Sequence, residues 1–283
     1  MPARVDAVLV REGLARSRRH AAELIAAGRV SVDGRPVDRP AVAVPDGSLP
    51  VVAAPAGRED DYASRGAYKL VGALDAFPAV RVDGRACLDA GASTGGFTDV
   101  LLRRGARVVV AADVGHDQLV ERIRTDPRVV VREGVNARHL VAGDVQPVPE
   151  LVVADLSFIS LTLVLPALVA VAVPGADLLL LVKPQFEVGR ERLGSGGVVR
   201  SAALREESVL TVADAATHLG CRVEGVARSP LPGPSGNVEY FLWLRTPGRD
   251  DVGPTGDAAP RGEDEQRVRT MVRDAVTGGG PNG

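Results

Sequence analysis

The stretch CLDAGASTGGFTDVLLRRGA, residues 87–106, constrains the fold of this chain more than any other. An apolar run stops at a glycine-rich turn, and an amphipathic pattern that reads as a helix follows from about Phe97–Thr98. Gly91, Gly95 and Gly96 permit a tight turn and a close backbone approach to a ligand. Asp113 closes the next apolar run, 22 residues after Gly91, where an acid can hold ribose hydroxyls. A dinucleotide fold prefers G-x-G-x-x-G, whereas this loop reads G-A-S-T-G-G and has an acid, Asp89, just before it.

The same alternation of strand and helix patterns fills residues 64–246. Val/Leu-rich runs at 86–91, 107–114, 128–134, 151–157, 178–184, 221–229 and 239–245 read as strands. Most are continuous rather than alternating, which predicts a parallel sheet covered on both faces. Residues 1–55 read as a separate small α+β module. Val5, Val8, Leu9 and Leu14 mark a first helix stopped by Gly13. Ser17 caps a second, RRHAAELIAA, that ends at Gly28, and Asp33–Gly34 signals a type I′ hairpin. Residues 56–63 form a polar linker. Residues 247–283 are rich in Gly, Pro and Asp around a candidate short helix, EDEQRVRTMVRDAV, and read as a disordered tail.

Charge and composition exclude several functions. A net charge of −2 is wrong for a protein that is basic overall, and 3% aromatic residues are too few for a base-stacking platform. Cys87 and Cys221 have neither disulfide nor metal-ligand spacing, so no metal is expected and a reducing, cytoplasmic setting is. Residues 156–176 carry no charge and approach membrane-spanning length, but Pro166 and Pro174–Gly175 interrupt them. They read as a buried helix between two strands, so no membrane partner is expected. No protein partner is evident.

Lysine is the unusual residue here. The chain has 34 Lys plus Arg, and only Lys69 and Lys183 are lysine. Arginine replaces lysine readily on a solvated surface, yet it stays protonated, whereas a desolvated lysine can titrate towards neutrality. Lysine kept at two positions implies that at least one must titrate or act as a compact charge. Lys183 ends the run LLLLVK and Asp155 ends LVVAD, so both belong at the strand C-termini, where open α/β sheets bind ligands. Lys69 lies on a helix before the first strand, and Glu239 opens the last strand.

These residues carry a family resemblance. The loop DAGASTGG looks like the S-adenosylmethionine loop of Rossmann-like methyltransferases. That resemblance implies cofactor contacts from Asp89, Gly91, Ser93, Gly95, Gly96 and Phe97, from Asp113 to the ribose, and from Asn136 near the adenine. The first module resembles the alpha-L RNA-binding domain, which implies RNA contacts from Arg4, Arg16, Arg18, Arg19 and His20. Lys69, Asp155, Lys183 and Glu239 resemble the Lys–Asp–Lys–Glu tetrad of FtsJ/RrmJ-type RNA ribose 2′-O-methyltransferases. The contexts SRGAYKL, ADLSFISL, LVKPQFEVGR and NVEYFLWL are similar to the TlyA family, whose members are described both as haemolysins and as ribosomal RNA 2′-O-methyltransferases.

The resemblance implies a Rossmann-like, S-adenosylmethionine-dependent methyltransferase acting on ribosomal RNA in assembled subunits, at a cytidine ribose. Lys183 is then the expected base, with Asp155 orienting it, and Lys69 and Glu239 positioning the ribose. Three rivals stand beside this reading. A membrane-active haemolysin requires a spanning or amphipathic segment; a non-catalytic RNA-binding protein would have lost Asp89 or the glycines; an NAD enzyme would need a different loop.

Overall fold

The computed structural model describes residues 3–12, 14–15, 17–26, 28–45, 48–52, 62–233, 235–248 and 261–278. The chain divides into two compact units, residues 1–61 and 62–283. The first contains β1 (Ala3–Arg4), α1 (Val5–Arg11), α2 (Arg18–Ala26), β2 (Val30–Val32), β3 (Arg35–Pro36), β4 (Ala43–Val44) and β5 (Pro50–Val52). Ser17 Oγ accepts from His20 N at 3.1 Å, the expected cap of α2, and Gly28 ends that helix at φ +67°. Asp33 and Gly34 take φ +50° and +76° between paired Val32 and Arg35, the type I′ turn that their sequence signals. Val5, Val8, Leu9, Leu24, Ile25 and Val30 form the core of this unit. Leu14, expected on the apolar face of the first helix, lies beyond its end and is 39% exposed. Gly13 and Arg16 lie outside the described residues, as do residues 56–61 of the expected linker.

The second unit is a three-layer α/β domain. Its elements are α3 (Ala67–Ala76), β6 (Ala86–Ala90), α4 (Gly96–Arg103), β7 (Val108–Asp113), α5 (Glu121–Arg124), β8 (Val129–Glu133) and β9 (Leu151–Ala154). There follow α6 (Leu165–Val171), β10 (Asp177–Val182), α7 (Pro184–Glu187), α8 (Ala202–His218), β11 (Arg222–Arg228), β12 (Tyr240–Arg245) and α9 (Arg261–Thr277). The seven strands lie in the order β11-β12-β10-β9-β6-β7-β8. Leu70, Ala73 and Leu74 of α3 pack on one face with Val100 and Leu101 of α4. Leu165 and Leu168 of α6 pack on the other with Val209 and Val212 of α8.

Two features depart from an all-parallel, two-sided sheet. β12 runs antiparallel to both β10 and β11, a direction that apolar run-length cannot report. β8 is an edge strand, and its residues alternate between half-buried and exposed. The parallel core fixes where a ligand can sit. From the β6–β9 pair, in which Ala90 faces Ala154, the sheet continues in opposite directions, leaving a crevice at the strand C-termini.

The uncharged run at 156–176 holds a helix between β9 and β10 as expected, but it is shorter and less buried: α6 spans Leu165–Val171 and buries one face on the sheet, while Phe158 earlier in the run is 91% exposed. Among the described residues, no helix is long and apolar enough to cross a membrane. The expected disordered tail requires correction. Residues 261–277 form α9, which packs on α8 and β11 and buries Val268, Val272 and Val276 at i, i+4 and i+8. Arg267 Nη2 ties it down by donating to the Val223 carbonyl at 3.0 Å. Residues 249–260 and 279–283 lie outside the described residues.

Candidate active site

A glycine cradle forms where β6 ends. Gly91 has φ +88°, and a Cβ there would stand 2.8 Å from the Asp155 carbonyl oxygen, so the loop can lie against the end of β9 only as glycine. Ser93 takes φ +46° and its N–H donates to Asp113 Oδ2 at 2.9 Å; Gly115 N donates to Oδ1 at 2.7 Å. The Asp113 carboxylate is thereby fixed at the end of β7. These groups line a cavity of ≈ 520 Å³, whose other polar lining comes from Gln118, Asn136, Asp155 and Ser157. A mostly apolar pocket of this size with a few convergent polar groups suits a nucleoside-sized ligand.

Beneath the cradle, Asp89 is completely buried. Its Oδ2 accepts from Thr98 Oγ1 at 2.6 Å, and its Oδ1 has no partner among the described residues. Burial pushes its pKa up to about 7, against the opposing hydrogen bond from Thr98. A buried carboxylate oxygen without a donor favours a cationic or N–H-bearing ligand group nearby.

Beside the cavity, four charged side chains alternate in sign. Glu239 Oε2 lies 2.6 Å from Lys69 Nζ, and Lys69 Nζ lies 3.8 Å from Asp155 Oδ2. Asp155 Oδ1 in turn lies 2.6 Å from Lys183 Nζ, which also donates to Ser157 Oγ at 2.8 Å. Glu239, Lys69 and Lys183 are buried, with residue exposures of 1%, 7% and 6%. Each is placed by its element. The apolar face of α3 docks on the sheet and carries Lys69 to its edge. Pro184 stops β10 one residue after Lys183, and the antiparallel return of β12 brings Glu239 to the same end. Gln185 Nε2 donates to Glu239 Oε1 at 3.4 Å, and Gly233 leaves room for the Glu239 carboxylate that a Cβ would invade. Buried ion pairs contribute little net stability, so four charges joined at the mouth of a cavity point to chemistry.

Residues 62–246 match the FtsJ-like methyltransferase family, and residues 3–49 match the S4 domain. Over 244 residues, 86% of this chain and 90% of the relative, the sequence is 62% identical to the 16S/23S rRNA (cytidine-2′-O)-methyltransferase TlyA of Mycobacterium tuberculosis.

The chain belongs to the TlyA family.

It is also 37% identical, over 84% of its length and 98% of the relative, to Hemolysin A of Brachyspira hyodysenteriae. A solved hemolysin-named protein of Streptococcus thermophilus superposes with a TM-score of 0.71 at 37% identity, over 98% of this chain and 97% of that one.

In this TlyA-family chain the fold brings together all four residues of the expected tetrad. Of the expected cofactor residues, Gly91, Ser93, Asp113 and Asn136 line the cavity, and Asp89 lies beneath it. Gly95, at φ +93°, turns the backbone into α4 against Leu119 and Ile123. Gly96 and Phe97 do not line the cavity. Gly96 packs against Ser64 and Ala67, and Phe97 is 4% exposed and stacks on Phe241 with centroids 6.2 Å apart. The first turn of α4 faces the sheet, which turns Phe97 into the core. Ser157, Gln118, Gln185 and Gly233 were missed, although Ser157 and Gln185 each stand two residues after a tetrad member.

In the S4 domain, Arg4 donates through Nε and Nη2 to the two Asp6 oxygens, each at 3.0 Å, and holds that carboxyl below its usual pKa. Arg18 lies near enough to add to the effect. Arg19 Nε reaches Glu23 Oε1 at 3.2 Å, and His20 contributes the N–H that Ser17 caps. Arg4 and Arg18 thus converge on one acid, while Arg19 engages another.

Proposed function

We propose that this chain transfers a methyl group to the 2′-hydroxyl of a cytidine ribose in ribosomal RNA, within ribosomal subunits in the cytoplasm. The observation that carries the reading is the Glu239–Lys69–Asp155–Lys183 chain of contacts beside the cavity. S-adenosylmethionine fits that cavity, and when bound it supplies an electrophilic methyl on a cationic sulfur. Asp113, pre-oriented by Ser93 and Gly115, is placed to hold ribose hydroxyls. The orphaned Asp89 oxygen suits the positive end of an amino acid, and Asn136 belongs with the base.

A ribose hydroxyl is a weak nucleophile at neutral pH and must lose its proton as it attacks. Lys183 is the residue to accept it, because its nitrogen lies beside the cavity lining at Asp155 and Ser157. Lys183 takes that proton as the neutral amine, so its ammonium first passes a proton to Ser157 Oγ, which accepts from it, and on to water. Asp155 aims the amine, and Lys69 with Glu239 fixes the far end of Asp155. Alignment of the hydroxyl with the methyl carbon supplies much of the rate.

The test is methyl transfer from labelled S-adenosylmethionine to purified ribosomal subunits lacking the modification, followed by mapping. Label on a cytidine 2′-oxygen is the expected result. Label on a base, or none on either subunit, would overturn the reading.

A further inference from the structure

Glu187 is a half-buried acid beside the site that takes no part in the proton transfer. It is the last residue of α7, the single helical turn that Lys183 caps and Pro184 begins. Residues three and four apart on a helix share a face, so Lys183, Phe186 and Glu187 look the same way. They look at the loop that leaves β9, and each takes hold of a different part of it. Lys183 Nζ meets Asp155 Oδ1 at 2.6 Å and donates to Ser157 Oγ at 2.8 Å. The Phe186 ring stands 5.3 Å from that of Phe158, centroid to centroid. Glu187 Oε2 accepts from Ser160 Oγ at 2.5 Å, and its Oε1 accepts from Leu161 N at 2.9 Å. Burial raises the Glu187 pKa against both of these hydrogen bonds, so the fold holds this carboxylate against a desolvation penalty.

The loop so held is a wall of the cavity, which Asp155, Leu156, Ser157, Phe158, Ile159 and Val164 line. Its own backbone does not favour this course. Phe158 takes φ +65°, a region that non-glycine residues hold only where their surroundings impose it, and the residue is 91% exposed. Little burial therefore anchors the middle of the wall. Its near end is fixed at Asp155, and its far end enters the turn Leu161–Leu163, whose Ser160 cap and first N–H both reach Glu187. We infer that Glu187 is a positioning residue: by clamping Ser160 and Leu161 to α7, it keeps Ser157 on the Lys183 amine and the wall closed along the cavity. The inference rests on the methyl-transfer reading above and adds to it a residue that acts through Lys183 and Ser157 and does not itself line the cavity. A misplacement of about 1 Å at the reacting groups costs roughly 10²-fold in rate, so a remote clamp can govern the chemical step.

The test uses the full chain with Glu187→Ala, Glu187→Gln and Ser160→Ala. Methyl transfer is measured at saturating S-adenosylmethionine and ribosomal subunits, beside the KM for each. Glu187→Ala should lower the saturated rate by about ten- to a hundredfold while either KM rises only a few-fold. Glu187→Gln keeps an acceptor for Leu161 N and a polar partner for Ser160 Oγ, so it should recover most of the rate. Ser160→Ala removes one of the two contacts and should lower the rate several-fold; it carries the same test if Glu187→Ala does not fold. A wild-type rate in Glu187→Ala, or in its place Ser160→Ala, would overturn the inference, as would a Gln variant as slow as the Ala variant. A second arm needs no RNA. The chain has only two lysines, so protein labelled with ¹³C-lysine gives two ε-carbon signals. Glu187→Ala should shift the Lys183 signal, leave that of Lys69 in place and speed amide hydrogen exchange at Leu161, and Glu187→Gln should reverse both changes. An unmoved Lys183 signal would overturn the inference. Wild type that transfers no methyl group to RNA, in a protein that still shows these shifts, would overturn the methyl-transfer reading and leave the clamp on Lys183 standing.

Discussion

Lys69 and Glu239 lie 170 residues apart along the chain and 2.6 Å apart in the fold. The antiparallel β12 makes this contact. The other strands beside the site end there, whereas β12 begins there, so the residue before its first position meets the helix that precedes the whole sheet.

Glu239→Ala should therefore be costly twice. It leaves the Lys69 ammonium buried with only Asp155 at 3.8 Å, and removing one partner of a buried pair destabilises by ~3–5 kcal/mol. Urea unfolding should register that loss, and methyl transfer should fall to background. Replacing both residues, Lys69→Met with Glu239→Leu, should restore most of the stability and none of the activity. A single variant as stable as wild type would show that the pair is not held as described.

Lys183→Arg keeps a cation against Asp155 but cannot accept a proton. Fold and cofactor binding should survive, while single-turnover methyl transfer should drop by about 10²–10⁴, the usual contribution of a positioned base. A rate near that of wild type would remove Lys183 from the role of base.

Asp89 makes stability depend on pH in an uncommon direction. Its folded pKa of about 7 lies above the ordinary carboxylate value of 3.8, so the folded state holds the proton more tightly than the unfolded state. Between about pH 4 and 7 the folded state binds more protons, and the group's contribution to stability falls as pH rises through that window. Above pH 7 the penalty is constant. Asp89→Asn, which cannot ionise, should gain on wild type between pH 5 and pH 8 by up to ~3 kcal/mol, seen as a melting-temperature difference that widens with pH. The same variant should bind S-adenosylmethionine more weakly. A difference that does not change with pH would place the ionisation elsewhere.

Gly91→Ala tests the cradle. A methyl group at φ +88°, 2.8 Å from the Asp155 carbonyl, costs about 1 kcal/mol in backbone strain and forces the end of β9 to move. Cofactor affinity and transfer rate should fall at least tenfold, with only a modest drop in melting temperature. Normal cofactor binding would mean that the loop does not need its close approach to β9.

The sequence was most legible where local chemistry decides the outcome. Asp33–Gly34 can make few turns besides the one it makes, and the glycines after Asp89 mark the cradle without any tertiary information. The scarcity of lysine singled out Lys69 and Lys183, whereas Asp155 and Glu239 joined them only through the family resemblance; what the fold adds is that the four side chains meet. Phe97 was misread because a helix's rotation about its axis depends on what it packs against, and the first turn of α4 faces the sheet. The packing of the helix at 261–277 was hidden for a related reason: its pattern suggests a short helix, but Val268, Val272 and Val276 form a narrow stripe among charged residues, and only α8 and β11 give it a surface to bury.

The scarcity of lysine also has a consequence for the chemist's bench. Side-chain primary amines in this chain occur only at Lys69 and Lys183, whose side chains are 9% and 8% exposed. Mild acylation should therefore modify the chain's terminal amine and little else, and each further acyl group gained would mean that the tetrad has opened. Counting those additions by mass, with and without a bound nucleoside, turns two buried nitrogens into a built-in gauge of access to the reaction centre.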